Sequence, residues 1–124
     1  MLKSLIENTE DIFLACGATD FRKQIEGLVT LVNLNYQLDP YSENAVFIFC
    51  NKRKDSIKIL RYDNNGFVLA TKKLLNKMKF QWPQKAGDIK NISMNQVEWL
   101  LQGLEIEQKK ALPNIKINSQ NSCY

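Results

Sequence analysis

The chain has 124 residues, 44% hydrophobic and 24% charged, which suits one soluble domain built round a single core. Its net charge is +4 and it has no histidine, which removes the commonest general base and metal ligand and excludes histidine-dependent nucleases, histidine triads and zinc deaminases. No apolar run approaches the roughly 18 residues that span a bilayer, and Met1 to Glu10 lacks a signal-peptide pattern, so a cytoplasmic protein without membrane contact is expected.

In chain order, Asp11 to Cys16 is short, apolar and stopped by Gly17, as in a buried strand leading into a tight turn. Thr19 or Asp20 then offers a helix N-cap. Phe21, Ile25, Leu28, Val29, Val32 and Tyr36 follow at three- and four-residue spacing, which predicts one amphipathic helix over Phe21 to Leu38, ending before Pro40. Ala45 to Cys50 reads as an apolar strand. Beyond the polar connection Asn51 to Ser56, Ile57 to Tyr62 and Phe67 to Thr71 flank Asp63-Asn64-Asn65-Gly66, whose Asn and Gly tolerate positive φ. These three runs predict an antiparallel meander, with a further short strand near Lys79 to Trp82. Ser93 to Gln96 has the Ser-x-x-Gln form of a capping box, and Val97, Leu100, Leu101 and Leu104 supply the stripe of a second, shorter helix ending near Gly103. The expected fold is α+β: a small antiparallel β-meander against one long amphipathic helix, closed by the shorter C-terminal helix. Residues 1–106 form the domain and 107–124 a polar tail, loosely ordered unless a partner holds it.

Charge along the chain is uneven. Lys52 to Lys90 holds eleven Lys or Arg against three Asp or Glu, a charge of +8, whereas residues 1–45 sit at −4 and residues 91–124 at 0. A concentrated positive segment attracts polyanions, because each neutralised phosphate releases condensed counterions. Lysine outnumbers arginine fourteen to three, which favours backbone contact over bidentate base reading. The candidate nucleic-acid-binding residues are Lys52, Arg53, Lys54, Lys58, Arg61, Lys72 and Lys73. Lys77 and Lys79 belong to the same run, which a solvated face would also explain.

Cys16-Gly17-Ala18-Thr19-Asp20-Phe21-Arg22-Lys23 is the most distinctive local run. Strand, glycine turn, N-cap and helix account for it, apart from two cations in a first helical turn, where the macrodipole disfavours them by a few tenths of a kcal/mol, on the order of 0.3. Arg22 and Lys23 are therefore added as candidates for a phosphate held at the helix start. Asp20, Asp55, Asp63 and Asp88 could hold magnesium in principle, yet each reads better as a cap or turn residue. Phe80, Trp82 and Tyr62 could stack on bases but suit a core better, as does Trp99. Cys16, Cys50 and Cys123 have no metal-site spacing and point to buried or free thiols in a reducing compartment. The expectation is a non-enzyme with no cofactor.

Three ordered blocks resemble the TnpB accessory proteins of the insertion sequence 66 family of bacterial mobile elements. The first is Cys16, Gly17, Thr19, Asp20, Arg22, Lys23, Gly27 and Leu28. The second runs through Val46-Phe47-Ile48-Phe49, Lys52-Arg53, Lys58, Leu60, Asp63, Gly66-Phe67, Leu69, Lys72-Lys73-Leu74, Phe80 and Trp82-Pro83. The third is Ile92-Ser93, Gln96, Leu100-Leu101 and Gly103-Leu104. The resemblance covers about Ile12 to Glu105 and implies a protein encoded beside a separate, larger transposase and needed for efficient transposition. Here Lys replaces Arg at several basic positions, and the tail after Glu107 is not covered. The resulting expectation is an accessory protein that binds DNA, or the transposase–DNA complex, through a basic meander surface. The alternatives are an adaptor that docks on the transposase without touching DNA, and an RNA-binding regulator.

Overall fold

The computed structural model describes residues 2–108. A five-stranded mixed sheet forms its middle layer: β1 (Asp11–Ala15), β2 (Ala45–Cys50), β3 (Ser56–Asp63), β4 (Gly66–Lys73) and β5 (Ile89–Ile92), in the spatial order β4-β3-β2-β1-β5. β2 is buried at all six positions, because it lies between two neighbours with both faces covered. Such a strand reads as a continuous apolar run instead of an alternating one. β1 pairs with β2 in parallel, with Leu14 opposite Ile48, and the other pairings are antiparallel.

One face of the sheet packs Leu14, Ile48, Ile57 and Ile59 against Ile6 of helix α1 (Leu2–Ile6) and against Val97 and Leu100 of α3 (Met94–Leu101), with Phe80 and Trp82 filling one end. The other face packs Phe47, Phe49 and Leu60 against Leu28 and Val32 of the helix between β1 and β2. That helix, α2, has six α-helical residues, Ile25–Thr30, continued by five π-helical ones, Leu31–Asn35. It ends where Gln37 turns to φ 57°, before the buried Pro40.

The expected small meander on one long helix does not hold. β2, β3 and β4 do form an antiparallel meander, but the sheet extends by a parallel β1 and a returning β5, and its helices are short. The strand–helix–strand succession β1-α2-β2 is the reason, since a parallel partner needs a crossover long enough to hold a helix. The helix starts at Ile25 instead of Phe21 because a tertiary donor takes the carbonyls a longer helix would use. Lys58 Nζ donates to the carbonyls of Phe21 at 3.0 Å and Lys23 at 2.8 Å. Residues 79–82 form no strand; Trp82 Nε1 instead donates to the Ala15 carbonyl at 2.9 Å from a buried position. At α3 the capping box is complete, with Ser93 Oγ accepting from the Gln96 amide and the Gln96 side chain accepting from the Ser93 amide. Ile106 is also in the core, and the proposed tail beyond residue 108 lies outside the described residues.

Candidate nucleic-acid interface

Strand directions sort the loops into two sets. The ends of β1, β2 and β4 and the starts of β3 and β5 share one edge of the sheet, as the pairs Ala15–Ile89, Cys50–Ile57 and Ser56–Lys73 require. The loops that leave this edge are residues 16–24, 51–55 and 74–88. With Lys73 at the end of β4, they carry nine Lys or Arg (Arg22, Lys23, Lys52, Arg53, Lys54, Lys73, Lys77, Lys79 and Lys85) against Asp20, Asp55 and Asp88. At the opposite edge, residues 7–11, 36–44 and 63–65 carry six Asp or Glu and no Lys or Arg. The uneven charge of the sequence thus becomes a molecule with a basic end and an acidic end.

Hydrogen bonds lock the basic loops together. The Leu74 amide donates to the Asp55 carbonyl at 2.7 Å and the Phe80 amide to the Lys54 carbonyl at 2.8 Å, so the 74–82 segment lies along the 51–55 loop. Lys79 Nζ donates to the Arg53 carbonyl at 2.8 Å. Thr19 is tied to this edge through its amide on the Cys50 carbonyl, and Gly17 through its amide on the Pro83 carbonyl. Gly17 has φ 75°, and a Cβ there would come within 2.8 Å of the Ala86 backbone, so both conformation and space demand glycine. Within the 51–55 loop, Asn51 donates to the Asp55 carboxylate at 2.7 Å, and this bond, more than the nearby Lys73 and Arg53, holds Asp55 below the ordinary carboxylate range.

The candidate residues do not all belong to this end. Lys52 and Arg53 are exposed, Lys54 is half-exposed at φ 63°, and Lys73 is exposed. Lys72 points to the opposite face of β4 from Lys73, toward α1 and α3, because neighbouring strand residues alternate. Lys58 is only 5% exposed; besides its two carbonyls it stands 4.9 Å from the Phe21 ring centroid. Arg61 reaches the acidic end, where its guanidinium donates to the carbonyls of Leu5 at 2.8 Å and of Glu7 and Glu43 at 3.4 Å. Lys58 and Arg61 thus hold loops onto the sheet.

Arg22 and Lys23 precede α2 instead of opening it, so the expected helix-start site is absent here. Arg22 is 92% exposed at its side chain and grips Asp20 with Nη2 2.7 Å from Oδ2 and Nε 3.1 Å from both oxygens. This grip, reinforced by the Arg22 amide on Oδ1 at 3.0 Å, lowers the Asp20 carboxyl from 3.8 to about 2. Phe80 and Trp82 are buried, and Tyr62 sits in a cluster with Tyr41 and Phe67, ring centroids 5.2 to 5.4 Å apart, so these rings pack instead of offering a base platform. Cys16 and Cys50 are buried thiols, while Cys123 lies outside the described residues. Below the basic loops a cavity of about 470 Å³ is lined by Lys54, Lys79 and Lys90 but also by Glu105 and Glu107, so its charge is nearly balanced.

Lys85 adds to the charge of this end, and Leu75 and Met78 stand exposed among its lysines, which the charge pattern alone does not reveal. The Leu-Asn-Lys-Met run, with a turn-forming Asn between apolar residues, was the available signal.

The family model of the IS66 Orf2 like protein matches residues 10–111, spanning both the loops of the basic edge and the sheet that carries them. The chain belongs to this family. Membership brings a role as an accessory protein of IS66 transposition. Among curated proteins, the chain is 32% identical to the uncharacterised protein y4jC of Sinorhizobium fredii (strain NBRC 101917 / NGR234) over 102 residues, 82% of this chain and 86% of the relative. It is 31% identical to the uncharacterised y4hO of the same strain over 94 residues, 76% of this chain and 80% of that relative. No solved structure matches. No described helix is long and apolar enough to cross a membrane.

Proposed function

We propose that this IS66 accessory protein assists transposition without catalysis, by binding duplex DNA at or near element ends, alone or with the transposase, through the basic end of its sheet. The observation that carries this reading is the convergence of three cationic loops on one strand edge, where nine Lys or Arg stand against three Asp. Arg22 pairs with Asp20 and Lys85 with Asp88, which leaves Lys52, Arg53, Lys73 and Lys77 among the cations without an acidic partner in the ion pairs of the described residues. Lys52, Arg53, Lys54, Lys73, Lys77 and Lys79 form its centre, flanked by Arg22, Lys23 and Lys85. Lysine dominates, so the contact is with phosphates and tolerates sequence variation.

The test is fluorescence anisotropy of the purified protein on element-end DNA, unrelated DNA and RNA across a salt series. Engagement of about six phosphates gives a log-log slope near −5. The double charge reversal Lys52→Glu with Arg53→Glu, both exposed, then weakens binding at low salt and flattens that slope. A flat salt response of the native chain refutes the reading. An adaptor role draws on a different feature, the outer edge of β4, where Phe67 to Thr71 is free of charge on a strand with only one neighbour. If that edge docks the transposase and DNA is never touched, the same charge reversal leaves transposition intact.

A further inference from the structure

Between β4 and the buried Phe80 the chain makes a tight turn, Leu75–Met78, closed by the Met78 amide on the Leu75 carbonyl at 3.1 Å. Its two central residues, Asn76 and Lys77, have φ 58° and 64°, the positive values of a primed turn. Such a turn sets its first and last side chains beside each other, and here they are Leu75 and Met78, 68% and 53% exposed. Leu74 and Phe80 on either side pack into the core, while the turn between them leaves Leu75 and Met78 in solvent. The turn is pinned at its base by the Leu74–Asp55 and Phe80–Lys54 hydrogen bonds and by Lys79 on the Arg53 carbonyl. Lys73, Lys77 and Lys79 surround it, all exposed.

A single exposed leucine is ordinary, but a firmly held apolar pair ringed by cations has a specific physical use. The cations anchor on phosphates while the apolar tip enters between base pairs, where stacking is replaced by contact with Leu or Met, and the duplex bends away from the wedge. We propose that Leu75 and Met78 form a wedge that inserts into a base step from the minor groove, so that this protein bends the DNA it binds. The inference rests on the DNA-binding reading above and gives it an architectural activity.

The experiment uses the full chain, a duplex carrying 2-aminopurine at successive positions, and the same duplex with a fluorophore pair at its ends. The native protein raises 2-aminopurine emission at one or two steps and shortens the end-to-end distance. Leu75→Ser with Met78→Ser, both at exposed positions, keeps its thermal melting and salt slope, binds about ten- to a hundredfold more weakly, and leaves the DNA stacked and straight. Leu75→Phe preserves both signals. Native protein that binds with no change in emission or distance overturns the wedge while leaving DNA binding in place, and so does a double variant that still bends DNA. Absence of duplex binding even in dilute salt overturns both. Co-sedimentation with phosphatidylserine vesicles, lost in the double variant while DNA behaviour is unchanged, would assign the tip to a membrane surface and overturn the wedge.

Discussion

Replacing Lys58 by methionine tests whether a cation in the middle of the basic segment serves the fold or the ligand. The native ammonium donates to the carbonyls of Phe21 and Lys23 and sits over the Phe21 ring, with 5% exposure. Methionine keeps the apolar stem and removes the charge, leaving two carbonyls without their donor. Each charge-assisted hydrogen bond contributes about 1.5–3 kcal/mol, and the cation–π contact about 0.5–2 more. Relief from desolvating the ammonium offsets part of this, so a net loss of about 2–4 kcal/mol follows. For a domain of this size that lowers the melting temperature by about 8–15 °C. Chemical denaturation read by tryptophan fluorescence, with the slope checked for constancy, measures the loss, and anisotropy at a temperature where the variant is folded measures DNA affinity. A variant within about 0.5 kcal/mol of the native chain would refute the structural role, since surface substitutions fall in that range. Unchanged stability with sharply weaker DNA binding would place the ammonium at the ligand instead.

Gly17→Ala is expected to cost at least about 2 kcal/mol, because an L-residue at φ 75° is strained and its Cβ meets the Ala86 backbone at 2.8 Å; a neutral melting curve would count against the close approach of these two loops. The Asp20 carboxyl, followed by NMR, should titrate with a midpoint near 2, and in Arg22→Ala it should return toward 3.8. Since its folded value is depressed, Asp20 adds stability above its unfolded value and loses it as pH falls through about 2, so an unchanged midpoint in the variant would deny the grip. Burial pushes the Cys50 thiol up to about 12 and also raises Cys16. At pH 8 only about one Cys50 in ten thousand is then a thiolate, so a Cys123→Ser chain should react with a thiol reagent only after denaturation. Prompt reaction of the folded variant would contradict this.

The features legible in the sequence were those written in neighbouring residues. The Asp63 to Gly66 reversal, the Ser93 capping box and the Gly17 turn each depend on a few adjacent side chains, and each appears where those residues place it. Long-range choices were less legible. Nothing local says that Ala45 to Cys50 has a parallel neighbour, although its unbroken apolar run was a sign of cover on both faces. β5 is four residues with little contrast, and α1 is only five, so neither rises above its surroundings. The placement of Lys58 and Arg61 was hidden for a related reason. Strand alternation shows which residues share a face but not whether that face is open, and here the α2 loop covers one and α1 approaches the other. The loop cations were readable as a cluster in sequence, whereas their meeting at one strand edge depends on pairing directions that only the fold supplies.

Separating cations from carboxylates along the strands has a kinetic consequence. Strands of four to eight residues, about 13–26 Å long, hold the two poles apart, so the molecule carries a permanent electric moment along the strand axis. Near a duplex that moment produces a torque, turning the protein cation-first over the last Debye length, about 8 Å at physiological ionic strength, so that fewer collisions are wasted on wrong orientations. In the proposed DNA complex the anionic pole would face outward and repel a second duplex, which favours one helix per molecule over the crosslinking expected of a uniformly cationic particle.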